Sequence, residues 1–160
     1  MKPQLSTRAR SLSSSATFAM LQKSMELKQA GIDVISMSVG EPDFKTPKTI
    51  RLAAHAAIED GWTKYSPVPG YMPLREACAR KLKNENGLDY SAKQILVSNG
   101  AKQSLTNAIM AVVDTGDEVV IPTPCWVSYM QMVILAGGVP VTVRAGIEQD
   151  FKVTPAQLEA

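Results

Sequence analysis

The apolar pattern of this chain predicts an α/β fold, a mostly parallel sheet with helices on both faces. Three observations carry that expectation. From Ile95 onward, short apolar runs alternate with helical spacing in the order β-α-β-α-β, which a parallel sheet covered by helices accommodates. Ile95, Leu96 and Val97 form a continuous apolar run, as expected of a strand buried on both faces. Directly behind it, Asn99-Gly100 makes a turn, and Leu105, Ala108, Ile109, Val112 and Val113 then fall at helical spacing. A helix that opens behind a buried strand aims unpaired N–H groups and the positive end of its dipole at the carboxyl edge of the sheet. That is where α/β proteins hold anions, phosphates above all. Gly100 lets backbone approach such a ligand with no Cβ in the way.

The other elements follow in order. Residues 1–15 are polar, basic and Ser-rich, and read as an arm, mobile or docked elsewhere, with a transit peptide as the alternative. A helix is expected from Ala16 to Ala30, with Phe18, Leu21 and Met25 on one face and Gly31 ending it. Val34 to Val39 reads as a strand. It runs into Gly40-Glu41-Pro42-Asp43-Phe44, which Gly40 and Pro42 keep out of both strand and helix. Thr46 is placed to cap a second helix, with Pro47 in its first position and Ile50, Ala53, Ala54, Ala57 and Ile58 on its face; Gly61 closes it.

Trp62 to Tyr71 is an irregular loop containing Pro67, Pro69 and Gly70, the kind of segment that carries function. A third helix follows with Leu74, Ala77, Cys78 and Leu82 inward, stopped at Asn86-Gly87. Ser91 and Gln94 have the spacing of a capping box for one short turn. After a helix over 101–114, Thr115-Gly116-Asp117 turns the chain into a strand at Glu118–Ile121, its end framed by Pro122 and Pro124. Cys125 to Ala136 reads as helix, Gly137-Gly138 as its stop and Val139–Val143 as a strand. Residues 146–153 are loop, and Thr154-Pro155 opens a further helix.

Composition narrows the function. The length of 160 residues suits one domain able to bury roughly two-thirds of its unfolded surface. The net charge of +2 is near neutral and the Lys and Arg residues are scattered, which gives no nucleic-acid footprint. No apolar run reaches membrane-spanning length. Cys78 and Cys125 form no metal or redox spacing, and Cys78 reads as a buried free thiol. These features suit a reducing cytoplasm.

Four motifs stand in register: SVGEPDF at Ser38–Phe44, TKYSPVPGYMPLREA at Thr63–Ala77, SNGAKQ at Ser98–Gln103 and GDEVVIPTPCWVSY at Gly116–Tyr129. Together they resemble the class I/II aminotransferases of the fold-type I pyridoxal-phosphate enzymes, nearest to the aspartate aminotransferase branch of bacteria, over nearly the whole chain from Ala16. The resemblance implies pyridoxal 5′-phosphate as cofactor. Residues 1–45 would be an N-terminal arm and small-domain segment, and 46–160 the first part of the cofactor-binding large domain.

The resemblance also assigns residues. Gly100, Ala101 and Lys102 match the backbone cradle for the cofactor phosphate, which an ordinary strand-to-helix turn could equally explain. Trp126 matches the aromatic that stacks on the cofactor ring and borders the substrate; its plain reading is a core residue. Tyr65 matches the tyrosine that reaches the phosphate of the neighbouring subunit, implying a homodimer with a shared active site; its plain reading is a phenol anchoring its own loop. Gly40 matches the position that meets the substrate α-carboxylate. Thr17 and Lys102 match positions facing the distal carboxylate of dicarboxylic substrates, against a helix cap and a solvated lysine. Ala101 departs from the second glycine common in this turn, and Cys125 from a common aromatic. His55 matches no catalytic position and reads as a surface or interfacial residue.

The family's Schiff-base lysine, the aspartate that holds the pyridine nitrogen protonated and the arginine that clamps the α-carboxylate correspond to positions beyond Ala160. The expectation is the N-terminal part of an aspartate:2-oxoglutarate aminotransferase working by ping-pong transfer on amino acid and 2-oxo acid substrates, with no catalytic residue of its own and no activity in isolation. The rivals are a lyase or decarboxylase relative of the same fold, and a truncated module that keeps the fold without catalysis.

Overall fold

A computed structural model describes residues 4–13 and 16–159. The elements are α1 (Thr7–Ser11), α2 (Ala16–Gln29), α3 (Lys48–Glu59), α4 (Met72–Asn86), α5 (Ala101–Val112), β1 (Glu118–Thr123), α6 (Ser128–Ala136), β2 (Val139–Arg144) and α7 (Pro155–Glu159), with short 3₁₀ turns at Ala92–Gln94 and Ile147–Gln149. They group into two compact units, one formed by residues 1–40 with 102–160 and the other by residues 41–101. No helix among the described residues is long and apolar enough to cross a membrane.

In the first unit β1 and β2 pair in parallel, Glu118 opposite Val139 through Thr123 opposite Arg144, with α6 as the crossover. This is the α/β arrangement the alternating pattern implies. The ladder runs past the expected ends of both strands. Its ends are marked by Val139 N donating to Asp117 O at 2.7 Å and Ala145 N to Thr123 O at 2.8 Å. Odd-numbered residues of both strands therefore face the partner. Pro122 and Pro140 fall on the opposite edges, where a missing N–H costs no bond in this ladder.

The core of this unit is Ile121, Met132, Val133 and Ala145. Burying side chains such as Met132 and Val133 stabilises by about 1.5–3 kcal/mol each. Gly137 ends α6 in the left-handed region at φ 94°. Gly138 is packed closely: a Cβ there would lie 2.7 Å from Val113 Cγ1 and 3.1 Å from both Asp117 O and Val133 Cγ1. Residues 4–13 belong to this unit and meet α6. Ser6 caps α1, and Ser13 N donates to Gln131 Oε1 of α6 at 3.0 Å.

In the second unit α4 ends at Gly87, left-handed at φ 68°, where the Asn86-Gly87 pair signals a stop. The Ser91–Gln94 capping box forms as the spacing implies.

Several local expectations fail. Val34–Val39 and Ile95–Val97 are not strands. Neither finds a ladder partner among the described residues, and a strand is stable only when paired. Leu96 is 58% exposed, so this run is not buried on both faces. The helix expected from Thr46 begins at Lys48, because Pro47 is extended (ψ 142°) and takes the cap position without a side-chain bond. The helix expected from Cys125 begins at Ser128, leaving Cys125 and Trp126 in a turn closed by Tyr129 N donating to Trp126 O at 3.1 Å. Leu74, expected inward on α4, is exposed, and Arg75 is buried in its place.

Gly138→Ala is expected to destabilise the protein carrying these residues by about 1–3 kcal/mol, since backbone as well as side chains would have to give way. Urea unfolding measures it; an unchanged midpoint would mean the strand entry tolerates the extra carbon.

Candidate active site

The carboxyl end of β1 brings the first expected site residues together. The chain leaves Thr123 through a cis peptide to Pro124, and Cys125 and Trp126 follow before α6 begins. Lys102 lies in the first turn of α5, and its ammonium sits 4.8 Å from the centroid of the Trp126 ring. The Tyr129 ring meets the same indole edge-to-face, with centroids 5.6 Å apart and planes at 87°. Trp126 is 42% exposed, so the core reading of it is wrong: the indole is presented at the surface. Lys102 is itself exposed, as a solvated lysine would be, and the ring attracts its charge.

Beside this pair lies a hollow of about 620 Å³, bordered by Lys102, Thr106, Thr123, Cys125, Ser128 and Gln131 among others. Thr106 Oγ1 donates to Lys102 O at 2.8 Å within α5. Gly100, just ahead of α5, is left-handed at φ 85°, and nothing lies within 4 Å of where its Cβ would be. The glycine is thus required by the turn's conformation and leaves open space beside it. Ala101 is the first helical residue, so no glycine is needed there.

Tyr65 is fully exposed, and it does not anchor its own loop. That task falls to Tyr71, whose hydroxyl donates to Lys64 O at 3.4 Å and whose ring meets Trp62 edge-to-face at 4.8 Å. Gly40 has no left-handed φ and no neighbour within 4 Å of a Cβ, so local packing gives no reason for a glycine. Thr17 sits inside α2 rather than capping it, and borders a hollow of about 540 Å³ with Ser24, Ser36 and Ser38. His55 is exposed on α3. Cys78 and Cys125 are half-buried free thiols. No cluster of His, Cys, Asp or Glu that could hold a metal ion occurs among the described residues.

Two residues escaped the sequence reading. Tyr129 buttresses Trp126 from three positions downstream, a spacing visible in the sequence. Arg75 is buried, and its Nε donates to Ile95 O at 3.0 Å. It falls three and seven residues before Cys78 and Leu82, on the same helical face, but a charged residue is not assigned inward on spacing alone.

The sequence profile of aminotransferases of class I and II matches residues 32–160. The chain belongs to this family. A probable aspartate/prephenate aminotransferase of Rickettsia bellii is 49% identical over 155 residues, covering 97% of this chain and 39% of the relative. The aspartate/prephenate aminotransferase of Cereibacter sphaeroides is 53% identical over 146 residues, covering 91% and 36%. Among solved structures, the aspartate aminotransferase of Thermus thermophilus with maleate superposes with a TM-score of 0.94 at 42% identity, covering 98% of this chain and 41% of that one. That of Rhizobium meliloti gives 0.91 at 40% identity. The chain thus spans about two-fifths of the length of the curated relatives it matches. The class I and II aminotransferase family implies pyridoxal phosphate, and the groups assembled here suit it. A helix N-terminus and an ammonium attract an anion, and a part-exposed indole offers a flat face.

The Lys102–Trp126 contact is expected to contribute about 0.5–1 kcal/mol. A double-mutant cycle with Lys102→Met and Trp126→Leu, read by chemical denaturation, measures the coupling, and strictly additive effects would show that the contact contributes nothing.

Proposed function

We propose that the protein carrying these residues is a pyridoxal-phosphate-dependent aminotransferase that moves the amino group of aspartate, or another acidic amino acid, to 2-oxoglutarate. The Lys102–Trp126 pair at the carboxyl end of β1 is the observation that carries this reading. It joins a cation, the opening of a helix and a flat aromatic face in one place. The names of the relatives, aspartate/prephenate aminotransferases, extend the acceptor to prephenate, a dicarboxylic 2-oxo acid.

In this reading the first turn of α5, at Gly100, Ala101 and Lys102, holds the phosphate by backbone N–H donation and the helix dipole. The cofactor, when bound, supplies an electrophilic carbon for the amino group and a ring that accepts the electron pair released at the substrate α-carbon. Trp126 offers its indole to one face of that ring and excludes water there. Gly40 keeps backbone clear for the substrate α-carboxylate. Thr17 and Lys102 receive the distal carboxylate, where an ammonium gives a charge-assisted hydrogen bond. Tyr65, extended away from its own loop, donates its hydroxyl to the phosphate site of a second subunit, which makes the working form a homodimer. Residues 1–45 serve as arm and small-domain segment and 46–160 as the start of the large domain, in a cytoplasmic enzyme of amino-acid biosynthesis.

The decisive experiment loads the whole protein with pyridoxal phosphate and follows its visible absorbance while aspartate is added. Bleaching of the band supports the reading, and a band indifferent to every amino acid in a panel sinks it. Lys102→Ala should raise KM for aspartate about tenfold or more, the scale of a lost charged hydrogen bond, with a smaller effect on a monocarboxylic donor. Equal effects on both donors would remove Lys102 from the distal-carboxylate role. The 160 residues assayed alone with aspartate and 2-oxoglutarate should show no turnover, because none of them matches the lysine the chemistry requires; measurable turnover would refute that.

A further inference from the structure

Arg75 is the one buried charged side chain among the described residues, and it is spent on a backbone carbonyl. Its Nε donates to Ile95 O at 3.0 Å. Ile95 is extended (φ −101°, ψ 129°). In extended chain, residues two apart direct their N–H and C=O groups to the same edge. The matching group two residues on is also tied: Val97 N donates to Pro69 O at 3.0 Å. One edge of Ile95–Val97 is thereby fastened by the first turn of α4 and by the loop that precedes it.

The same loop presses on Val97 from Gly70, left-handed at φ 98°, where a Cβ would fall 2.9 Å from Val97 Cγ2. Beyond Val97 the chain has little slack. Gly100 N donates to Ser98 O at 2.9 Å, and α5 opens at the next residue. The segment that leads into the Asn99-Gly100 turn has no ladder to hold it among the described residues. Arg75 and Pro69 hold one edge of it.

We propose that Arg75 is a positioning residue for the Asn99-Gly100 turn, setting the depth at which that turn meets a phosphate monoester while never touching the ligand itself. This rests on the reading of that turn as the cofactor's phosphate site. Arg75 lies near the start of the helix directly behind the loop that carries Tyr65, and Pro69 of that loop holds Val97, so the guanidinium and the loop fasten the same three residues. A planar guanidinium suits this because its fork is rigid, whereas a flexible ammonium fixes the carbonyl less firmly.

The test compares binding of pyridoxal 5′-phosphate with that of pyridoxal, which lacks the phosphate, by absorbance titration of the whole protein. The readout is the dissociation constant of pyridoxal divided by that of pyridoxal 5′-phosphate. Arg75→Met keeps the volume and removes the donor; it is expected to lower the ratio about tenfold or more, the scale of a buried carbonyl left unpaired. Arg75→Lys is expected to recover part of that loss, and it also decides the matter if the Met variant does not fold, since it should then show an intermediate ratio. A residue that merely stabilises α4 would lower the unfolding midpoint and leave the ratio at the wild-type value. A wild-type ratio in either folded variant overturns the proposal. A wild-type protein that fails to distinguish the two compounds overturns the cofactor reading itself, and this inference with it.

Discussion

The parallel pairing of β1 with β2 across α6 is the constraint on which the first unit depends. Parallel strands cannot be joined by a tight turn, so the chain must leave the carboxyl end of β1, cross over a face and re-enter beside its start. Val133 on the crossover helix is almost completely buried, with Met132 beside it and Ile121 and Ala145 completing the core. Gly138 is the point of closest approach, where the returning strand passes Val113, Asp117 and Val133 with no room for a side chain. Because the crossover begins at Pro124, the residues just after it are lifted to the sheet's carboxyl edge. Trp126 is there for that reason, and the indole meets the Lys102 ammonium because α5 opens at the same edge.

The residues that resist a structural explanation are the informative ones. A tryptophan in a crossover would ordinarily be core, yet Trp126 is 42% exposed. A tyrosine in a Pro-rich loop would ordinarily brace it, yet Tyr71 and Trp62 do that while Tyr65 makes no use of its ring or hydroxyl locally. Gly40 occupies backbone that any residue could adopt. Exposed aromatics and unneeded glycines are costly to fold around without a return, and each of these coincides with a position that the family resemblance associates with cofactor or substrate.

Legibility varied with how local the cause was. Gly87 and Gly137 end their helices where the glycines stand, and the Ser91–Gln94 box closes as its spacing implies, because each needs only neighbours within a few residues. Ile95–Val97 and Val34–Val39 were misread as strands. Apolar β-branched runs say that a segment can pair, while pairing itself depends on a second segment elsewhere in the chain. Arg75 escaped the sequence reading for the related reason that its partner, the Ile95 carbonyl, is 20 residues away and carries no side-chain signature.

The sequence by itself determined the family and the alternation that makes an α/β unit. These are properties of order and spacing, and they survive without coordinates. Only the tertiary structure decided that Trp126 faces outward beneath the Lys102 ammonium, that Tyr65 is free of its own loop, and that a guanidinium holds the approach to the Asn99-Gly100 turn. Each depends on which surfaces the folded chain covers and which it leaves open, and burial is a property of the whole packing rather than of any stretch of residues.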